Sequence, residues 1–217
     1  MECNKKYPIF CSFYINTKYG SYDKVANGLM RRCDELGIRN DVFTPPGIRE
    51  YIRSRPTGIH KRARITRYKP TFILDSLEKW DQPIVYLDAD SYINRKPSGD
   101  LFCMEHIGID KIVGGKKYVL FNASATAMYF NNSGIVKDFL FAWKEKCDNV
   151  LDKPRVAEHY FLMETIIEFI ESGNDIFQYF DEPLVKLSNS QNIYIRQVKK
   201  KGRPKLVDIY KQKNYLK

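Results

Sequence analysis

The sequence predicts one α/β domain in which helices flank a mixed, mostly parallel central sheet. Strand-like apolar runs alternate along the chain with segments of helical periodicity. Residues 83–90 (PIVYLDAD) contain an apolar run that ends at two carboxylates. Such a run behind a proline is typical of a strand buried on both faces, as in parallel sheets. With 217 residues, the chain is long enough to bury a full core without metals or disulfides.

The first elements form a strand–helix–strand unit. Residues 7–15 are aromatic and β-branched, and we expect them to form the first, central strand. Residues 40–44 predict a second strand. Between them, Gly37 ends a helix. Apolar residues recur at helical spacing in that helix, namely Val25, Ala26, Leu29, Met30, Cys33 and Leu36. This arrangement puts the first loop, residues 16–22, on the ligand-binding edge of the sheet.

The later elements follow from the same periodicities. A helix carrying Ile73, Leu74, Leu77 and Trp80 delivers the chain to the strand before the aspartates. The remaining predictions are a helical turn at 101–104, strands at 111–114, 118–130, 176–180 and 192–198, and helices carrying 135–143 and 161–170. Gly173 is predicted to end the second of these helices.

Asp88 and Asp90 follow the buried strand directly. Ligands of open α/β sheets bind beyond the carboxyl ends of the strands, so both side chains are predicted to face a ligand. Two carboxylates this close repel each other unless a proton or a cation compensates. A hard divalent ion that also accepts phosphate oxygens is the simplest compensation. The alternative is that both residues are solvated turn residues.

The net charge of +10 is concentrated in two blocks. Residues 49–69 contain eight Lys or Arg and one acid, and residues 193–217 contain nine and one. This distribution predicts an anion at a defined place on the protein. Arg64, Arg67 and Lys69 lead into the helix before the aspartates, so we expect them at the same edge. The alternative is a solvated charged face.

The cysteines and the chain start bear on the compartment. Five cysteines are scattered without a C-x-x-C pair, which favours free thiols in a reducing compartment. The chain has no apolar run near 18 residues and no signal-peptide pattern at its start. These observations predict a cytoplasmic protein without a transmembrane segment.

Three other function classes fit parts of the pattern. A P-loop nucleotidase is excluded, since Gly115-Lys116 lacks the required upstream glycine. Haloacid-dehalogenase-like phosphatases also carry D-x-D, but usually near the chain start and followed by a pair such as Gly-Thr, where this chain has Ser91-Tyr92. A basic nucleic-acid-binding protein would suit the charge blocks, although no recognised reading motif is present. The last two remain alternatives.

Four segments in order resemble the GT-A glycosyltransferases, and most of all the small single-domain enzymes of large algal (chlorella) viruses. The resemblance covers about residues 7–180. The segments are Thr17 and Tyr22 ahead of an alanine-containing helix, residues 69–74 (KPTFIL), residues 86–90 (YLDAD), and residues 127–132 (AMYFNN) before a Trp-bearing helix.

The resemblance implies a GT-A fold and a metal-dependent transfer of sugar from a UDP-sugar donor to a carbohydrate hydroxyl. Asp90 would bind Mn²⁺ or Mg²⁺ at the donor diphosphate, and Asp88 would hold the ribose, or the metal through water. Thr17 and Tyr22 would bind the uracil. The remaining phosphate charge would be offset by Arg64, Arg67 or Lys69 and by tail lysines, and the tail 199–217 is a hypothetical lid over the diphosphate.

An inverting enzyme of this kind needs a general base, and Glu158 stands where the family pattern usually has Asp. Glu158 is alternatively a helix N-terminal acid, and a retaining mechanism stays open. His159 is a metal ligand, an acceptor contact or a structural residue. The implied organisation is a nucleotide-binding half (about 1–90), an acceptor half (about 91–192) and a basic segment (193–217). The implied partners are the donor and a glycan, without nucleic acid, in a host cytoplasm if the protein is viral.

Overall fold

The structure is a computed structural model that describes residues 6–16, 22–55, 61–111, 123–149, 158–180, 185–186 and 195–197. The helices are α1 (Asp23–Glu35), α2 (Ile48–Ser54), α3 (Lys61–Thr66), α4 (Lys69–Trp80), α5 (Gly134–Asp148) and α6 (Glu158–Glu171), with a 3₁₀ turn at Gly99–Phe102. The strands are β1 (Ile9–Phe13), β2 (Asn40–Phe43), β3 (Ile84–Leu87), β4 (Ser91–Ile93), β5 (Ile107–Lys111), β6 (Ala123–Phe130), β7 (Phe177–Tyr179), β8 (Val185–Lys186) and β9 (Ile195–Gln197).

The main sheet has six strands in the order β2-β1-β3-β6-β5-β7. The β1–β2, β1–β3 and β5–β7 pairs are parallel, whereas β6 is antiparallel to both β3 and β5. Five strands therefore run one way and β6 runs against them, which confirms the predicted mixed, mostly parallel sheet. The prediction for β1 was less accurate, because β3 and β6 occupy the middle of the sheet and β1 is second from one edge.

The sheet separates two parts of the core. On one face, α4, α5 and α6 cover the sheet with a cluster that includes Phe72, Leu77, Phe139 and Trp143. On the other face, α1 contributes residues such as Leu29 to a second cluster. All four residues of β3 are buried, as the run of consecutive apolar residues predicts.

A second, small sheet has the strand order β4-β9-β8. β4 pairs antiparallel with β9, so Ser91 lies opposite Gln197 immediately after the aspartates. The sequence predicted β9 within 192–198 but not β4 or β8. Both are too short for side-chain alternation to be recognisable.

Two predicted strands have different bounds. β5 begins at Ile107, four residues before the predicted strand, and residues 112–114 lie outside the described part of the chain. Gly108 weakens the strand pattern in the sequence. A Cβ at this position would collide with the side chains of Met104 and Phe180, so both would have to move. β6 is one continuous strand from Ala123 rather than broken strands, and residues 118–122 again lie outside the description.

The prediction of free thiols is wrong for Cys103, which is disulfide-bonded. Sequence spacing alone does not reveal which cysteines meet in the fold. Cys11, Cys33 and Cys147 are free and buried. No helix among the described residues is both long and apolar enough to cross a membrane.

Candidate active site

The carboxyl end of β3 leads directly into the turn that carries both aspartates. The Asp88 N–H donates to the Thr126 carbonyl on β6 at 2.9 Å, and the Ser91 N–H donates to the Asp88 carbonyl at 2.9 Å. The turn is therefore fixed to the main sheet on one side and to the start of β4 on the other. Asp88 and Asp90 lie where the sequence predicted them, beyond the end of a buried strand.

Lys69 joins three distant parts of the chain at this edge. It is the first residue of α4, and its Nζ lies 2.8 Å from Asp88 Oδ1 and 2.9 Å from Glu158 Oε1. The same ammonium donates to the Ala125 carbonyl at 3.1 Å. An ammonium has three donors, and three acceptors surround this one. Of the predicted site residues, the structure thus brings Lys69, Asp88 and Glu158 into direct contact.

The three side chains differ in how far they reach solvent. The Asp88 side chain is 24% exposed, whereas those of Lys69 and Glu158 are 5% and 7% exposed. Asp88 is consequently the most accessible member of the cluster. The buried Lys69 ammonium contacts Asp88 directly, and the buried Glu158 carboxylate contacts Lys69.

Tyr86 is a further residue of this cluster that sequence reasoning did not select. Its hydroxyl donates to Asp88 Oδ1 at 3.1 Å, and its ring lies 5.3 Å from Lys69 Nζ. Alternate residues of a strand point to the same face, so the spacing of Tyr86 and Asp88 was a usable signal. Two donors therefore fix one oxygen of the Asp88 carboxylate.

The charges of the cluster are unequal. Burial raises the pKa of Asp88. The negative charges of Asp90 and Glu158 raise it further, and the Lys69 ammonium offsets these effects only in part. Burial alone would also raise the pKa of Glu158, but the Lys69 ammonium and hydrogen bonds from Thr66 and Lys69 hold that pKa at about 2. The negative charge of Glu158 is thus the better neutralised. A further cation would stabilise the ionised forms of Asp88 and Asp90 more than that of Glu158.

The aspartate pair fits a divalent ion that also takes ligands from a substrate. Within the described residues, no three His, Cys, Asp or Glu side chains are grouped so that they could hold a metal. Two carboxylates supply hard oxygen ligands, and Mg²⁺ commonly combines one or two carboxylates with substrate phosphates. The donor set therefore suits a shared metal site better than an all-protein cage.

Tyr22 lies at the same edge, because it follows the carboxyl end of β1, which is parallel to β3. Its side chain is exposed. Asn16 Oδ1 accepts hydrogen bonds from the N–H groups of Tyr22 and Asp23 at 2.8 and 3.1 Å, so it anchors the start of α1. Thr17, the other predicted uracil contact, lies outside the described residues.

The basic residues before α4 have different surroundings. Arg67 is fully buried, its guanidinium lies 5.0 Å from the Phe161 ring, and burial lowers its pKa. Arg64 lies half-buried on α3. The structure therefore puts Arg67 inside the protein beside α6, and the donor-binding roles of both arginines stay predictions.

Burial lowers the pKa of His159, which follows Glu158 on α6, while the negative charge of Glu158 acts against that shift.

The start of α6 has one more contact that the sequence did not indicate. The Trp143 indole N–H donates to the Glu158 carbonyl at 3.1 Å, and Trp143 is fully buried. The sequence placed Trp143 correctly on the apolar face of α5. It contains no signal for a hydrogen bond between two separate helices.

Comparison of the coordinates with solved structures identifies similar folds. A glycosyltransferase involved in glycosylation of the major capsid of PBCV-1 matches with a TM-score of 0.60 and 12% identity, over 87% of this chain and 91% of the other. The galactosyltransferase LgtC, solved with donor and acceptor sugar analogues, matches with a TM-score of 0.52 and 11% identity, over 87% and 86%. Mouse xyloside xylosyltransferase 1 matches with a TM-score of 0.51 and 11% identity, over 88% and 97%.

The protein has the GT-A fold. This confirms the fold predicted from the four sequence segments. No protein-family model matches the chain, and no curated protein matches it. At 11–12% identity the likeness extends to the fold alone, so the activity has to be argued from the chain's own residues.

Proposed function

We propose that this protein is a metal-dependent glycosyltransferase that moves a sugar from a UDP-sugar donor to a carbohydrate hydroxyl. The observation that carries the proposal is the contact of Lys69 with Asp88 and Glu158, beside Asp90, at the carboxyl edge of a GT-A sheet. The similar structures named above are glycosyltransferases, and their chains are covered almost completely.

Asp90 and Asp88 are the residues that would hold Mn²⁺ or Mg²⁺ in this proposal. The ion, when bound, supplies Lewis-acid stabilisation of the charge on the departing nucleoside diphosphate. The partly exposed carboxylate of Asp88 is in addition suited to accept a hydrogen bond from a donor hydroxyl, such as one on the ribose. Lys69 and Tyr86 keep that carboxylate in one orientation, which avoids an ordering cost on binding.

The uracil and the phosphates would be bound by residues around the same edge. Tyr22 offers an exposed aromatic ring, and Thr17 completes the predicted contact with the base. Arg64 and Arg67 stay candidates for the diphosphate, although the Arg67 guanidinium would first have to become accessible. The lysines of residues 199–217, which lie outside the described part of the chain, are further candidates.

We propose Glu158 as the general base of an inverting transfer. Its carboxylate is ionised and therefore able to accept a proton from the acceptor hydroxyl, but its ion pair with Lys69 weakens it as a base. The role consequently requires that pair to loosen when acceptor binds. If Glu158 instead only orients Lys69, the transfer proceeds without this base and a retaining mechanism stays open.

The direct test measures UDP release from a panel of UDP-sugars, with a mixture of simple glycans as acceptors, in Mn²⁺ and in EDTA. We expect turnover that EDTA abolishes and that Asp90→Ala lowers by about 100-fold or more. Asp138→Ala, which removes an exposed carboxylate of α5, is the matched control and should keep full activity. Turnover in EDTA, or none with any donor, would refute the proposal.

The same assay separates the roles of Glu158. Glu158→Gln should abolish kcat and leave the KM for donor nearly unchanged if Glu158 is the base. The anomeric configuration of the product, determined by NMR, should then be opposite to that of the donor. Retention of configuration would contradict the inverting mechanism. Phosphatase activity on small phosphomonoesters or salt-dependent nucleic-acid binding, without any nucleotide response, would favour the two alternative functions.

A further inference from the structure

The site depends on where two helices begin. Lys69 is the first residue of α4 and Glu158 is the first residue of α6, and both helices pack against α5. The first turn of a helix has unpaired N–H groups and tends to fray. The distance between Lys69 and Glu158 therefore depends on how firmly the first residues of α4 and α6 are held against α5.

Trp143 connects α5 to the start of α6. It is fully buried, and its indole Nε1 donates to the Glu158 carbonyl at 3.1 Å. A carbonyl oxygen has two lone pairs, so it can accept this bond together with one from the helix backbone. A buried indole requires a partner for its N–H and has few alternative orientations. The bond thus fixes the first residue of α6 at one point on α5.

We propose that Trp143 is a positioning residue of the active site, whose indole N–H fixes the start of α6 and so sets the distance from Glu158 to Lys69. The same Lys69 ammonium contacts Asp88. A displacement of Glu158 therefore also changes the position of Lys69 relative to the more exposed Asp88 carboxylate. The inference deepens the proposed glycosyl transfer and rests on it for its kinetic consequence. Trp143 contacts the backbone carbonyl of Glu158 rather than its carboxylate, so it acts on the site only through the position of Glu158.

Phe139 provides a matched control one helical turn earlier. It is as fully buried as Trp143 and belongs to the same core cluster. Its ring packs 5.3 Å from that of Phe169 and 5.1 Å from that of Phe177, in the later part of α6 and in β7. Replacing Phe139 therefore perturbs the same core from the same face of α5, without removing a hydrogen bond to the start of α6.

The test compares the full-length wild type with Trp143→Phe, Trp143→3-benzothienylalanine and Phe139→Leu. The benzothienyl side chain replaces the N–H by sulfur at nearly constant shape, so it removes only the donor and covers the case in which Trp143→Phe does not fold. The first readout is hydrogen–deuterium exchange of α6. In both Trp143 variants, amides in the first turn should exchange about fivefold faster, which corresponds to the loss of one hydrogen bond. In Phe139→Leu the later turns should change instead.

The second readout is kinetic. Both Trp143 variants should lose about 10-fold or more in kcat/KM, since small misplacements of site groups are costly, and Phe139→Leu should lose much less. If the wild type has no transferase activity, the proposed function fails, while the exchange data still decide the inference. First-turn exchange unchanged in the Trp143 variants overturns the inference. In an active enzyme, Trp143 variants with the same kcat/KM as Phe139→Leu would also overturn the inference.

Discussion

Single residues at the carboxyl edge of the sheet have unequal tasks. Lys69 supplies one positive charge to two carboxylates, and the hydroxyl of Tyr86 supplies a second hydrogen bond to the more exposed of them. The arrangement keeps Asp88 accessible and oriented while Glu158 stays buried. Each of these contacts can be removed separately, with a matched residue elsewhere in the chain as control.

Lys69→Met should strongly destabilise the protein. The substitution leaves the buried carboxylate of Glu158 without its cation, and breaking a buried ion pair in this way typically costs about 3–5 kcal/mol. Urea unfolding measures the change. Lys79→Met removes another lysine of α4, which contacts Asp41 at 2.8 Å but is 51% exposed, and should cost below about 1 kcal/mol. Equal losses in the two variants would contradict the buried cluster.

Tyr86→Phe should affect activity more than stability. The variant keeps the ring and removes the donor to Asp88 Oδ1, so the free energy of unfolding should fall by about 1 kcal/mol. Loss of a group that orients a metal-site carboxylate should lower kcat/KM by about 10-fold. Tyr129→Phe is the control, because the buried Tyr129 hydroxyl has no hydrogen-bond partner among the described residues. It should be neutral or slightly stabilising, and a similar kinetic loss there would refute the role of Tyr86.

At the scale of elements, α5 packs against α4 and α6, which carry Lys69 and Glu158, and side-chain contacts hold its C-terminal end. Its last residue, Asp148, stands at the negative end of the helix, where an acid is electrostatically unfavourable. Arg55 forms an ion pair with Asp148, and Tyr51 OH and Lys144 Nζ each approach its carboxylate to 3.0 Å. These contacts tie α5 to the end of α2.

Asp148→Ala should therefore destabilise the protein by about 2 kcal/mol, because it leaves the mostly buried Arg55 without its carboxylate partner. Thermal and urea unfolding measure the loss. Glu168→Ala removes an acid that pairs with Lys146 at 2.7 Å but is 55% exposed, and the expected cost is below about 1 kcal/mol. A loss for Asp148→Ala no larger than this would mean that the contacts at the end of α5 are not stabilising.

Elements with a long periodic pattern were predictable from the sequence, and contacts between elements were not. The buried run of β3 and the apolar stripe of α4 identified both elements and their order. The contact between Lys69 and Glu158 depends on β6 entering the sheet antiparallel beside β3 and on α6 packing against α5. No local sequence pattern predicts either arrangement. The D-x-D position was predictable because it depends only on where one strand ends.

At the scale of the whole molecule, the excess positive charge is concentrated in residues 49–69 and 193–217 of the sequence. The basic tail follows β9, and β9 pairs with β4 directly after the aspartates. Removing residues 199–217 should raise the KM for the donor if the tail lysines bind the diphosphate, and the effect should weaken at high salt. Steady-state kinetics at two ionic strengths provides the measurement. Lys199, Lys200 and Lys201 changed together to Gln should reproduce part of the effect, and an unchanged KM would exclude a donor-binding role for the tail.

The most direct test of the central claim is a thermal-unfolding panel of nucleoside diphosphates, each with and without Mn²⁺. A ligand that binds only the native state raises the midpoint by mass action. For the wild type and for Asp138→Ala we expect stabilisation by UDP that requires Mn²⁺, and for Asp90→Ala we expect none. A wild type that no nucleotide stabilises, or stabilisation by UDP that persists in Asp90→Ala, would contradict a metal-dependent UDP-sugar site at the end of β3.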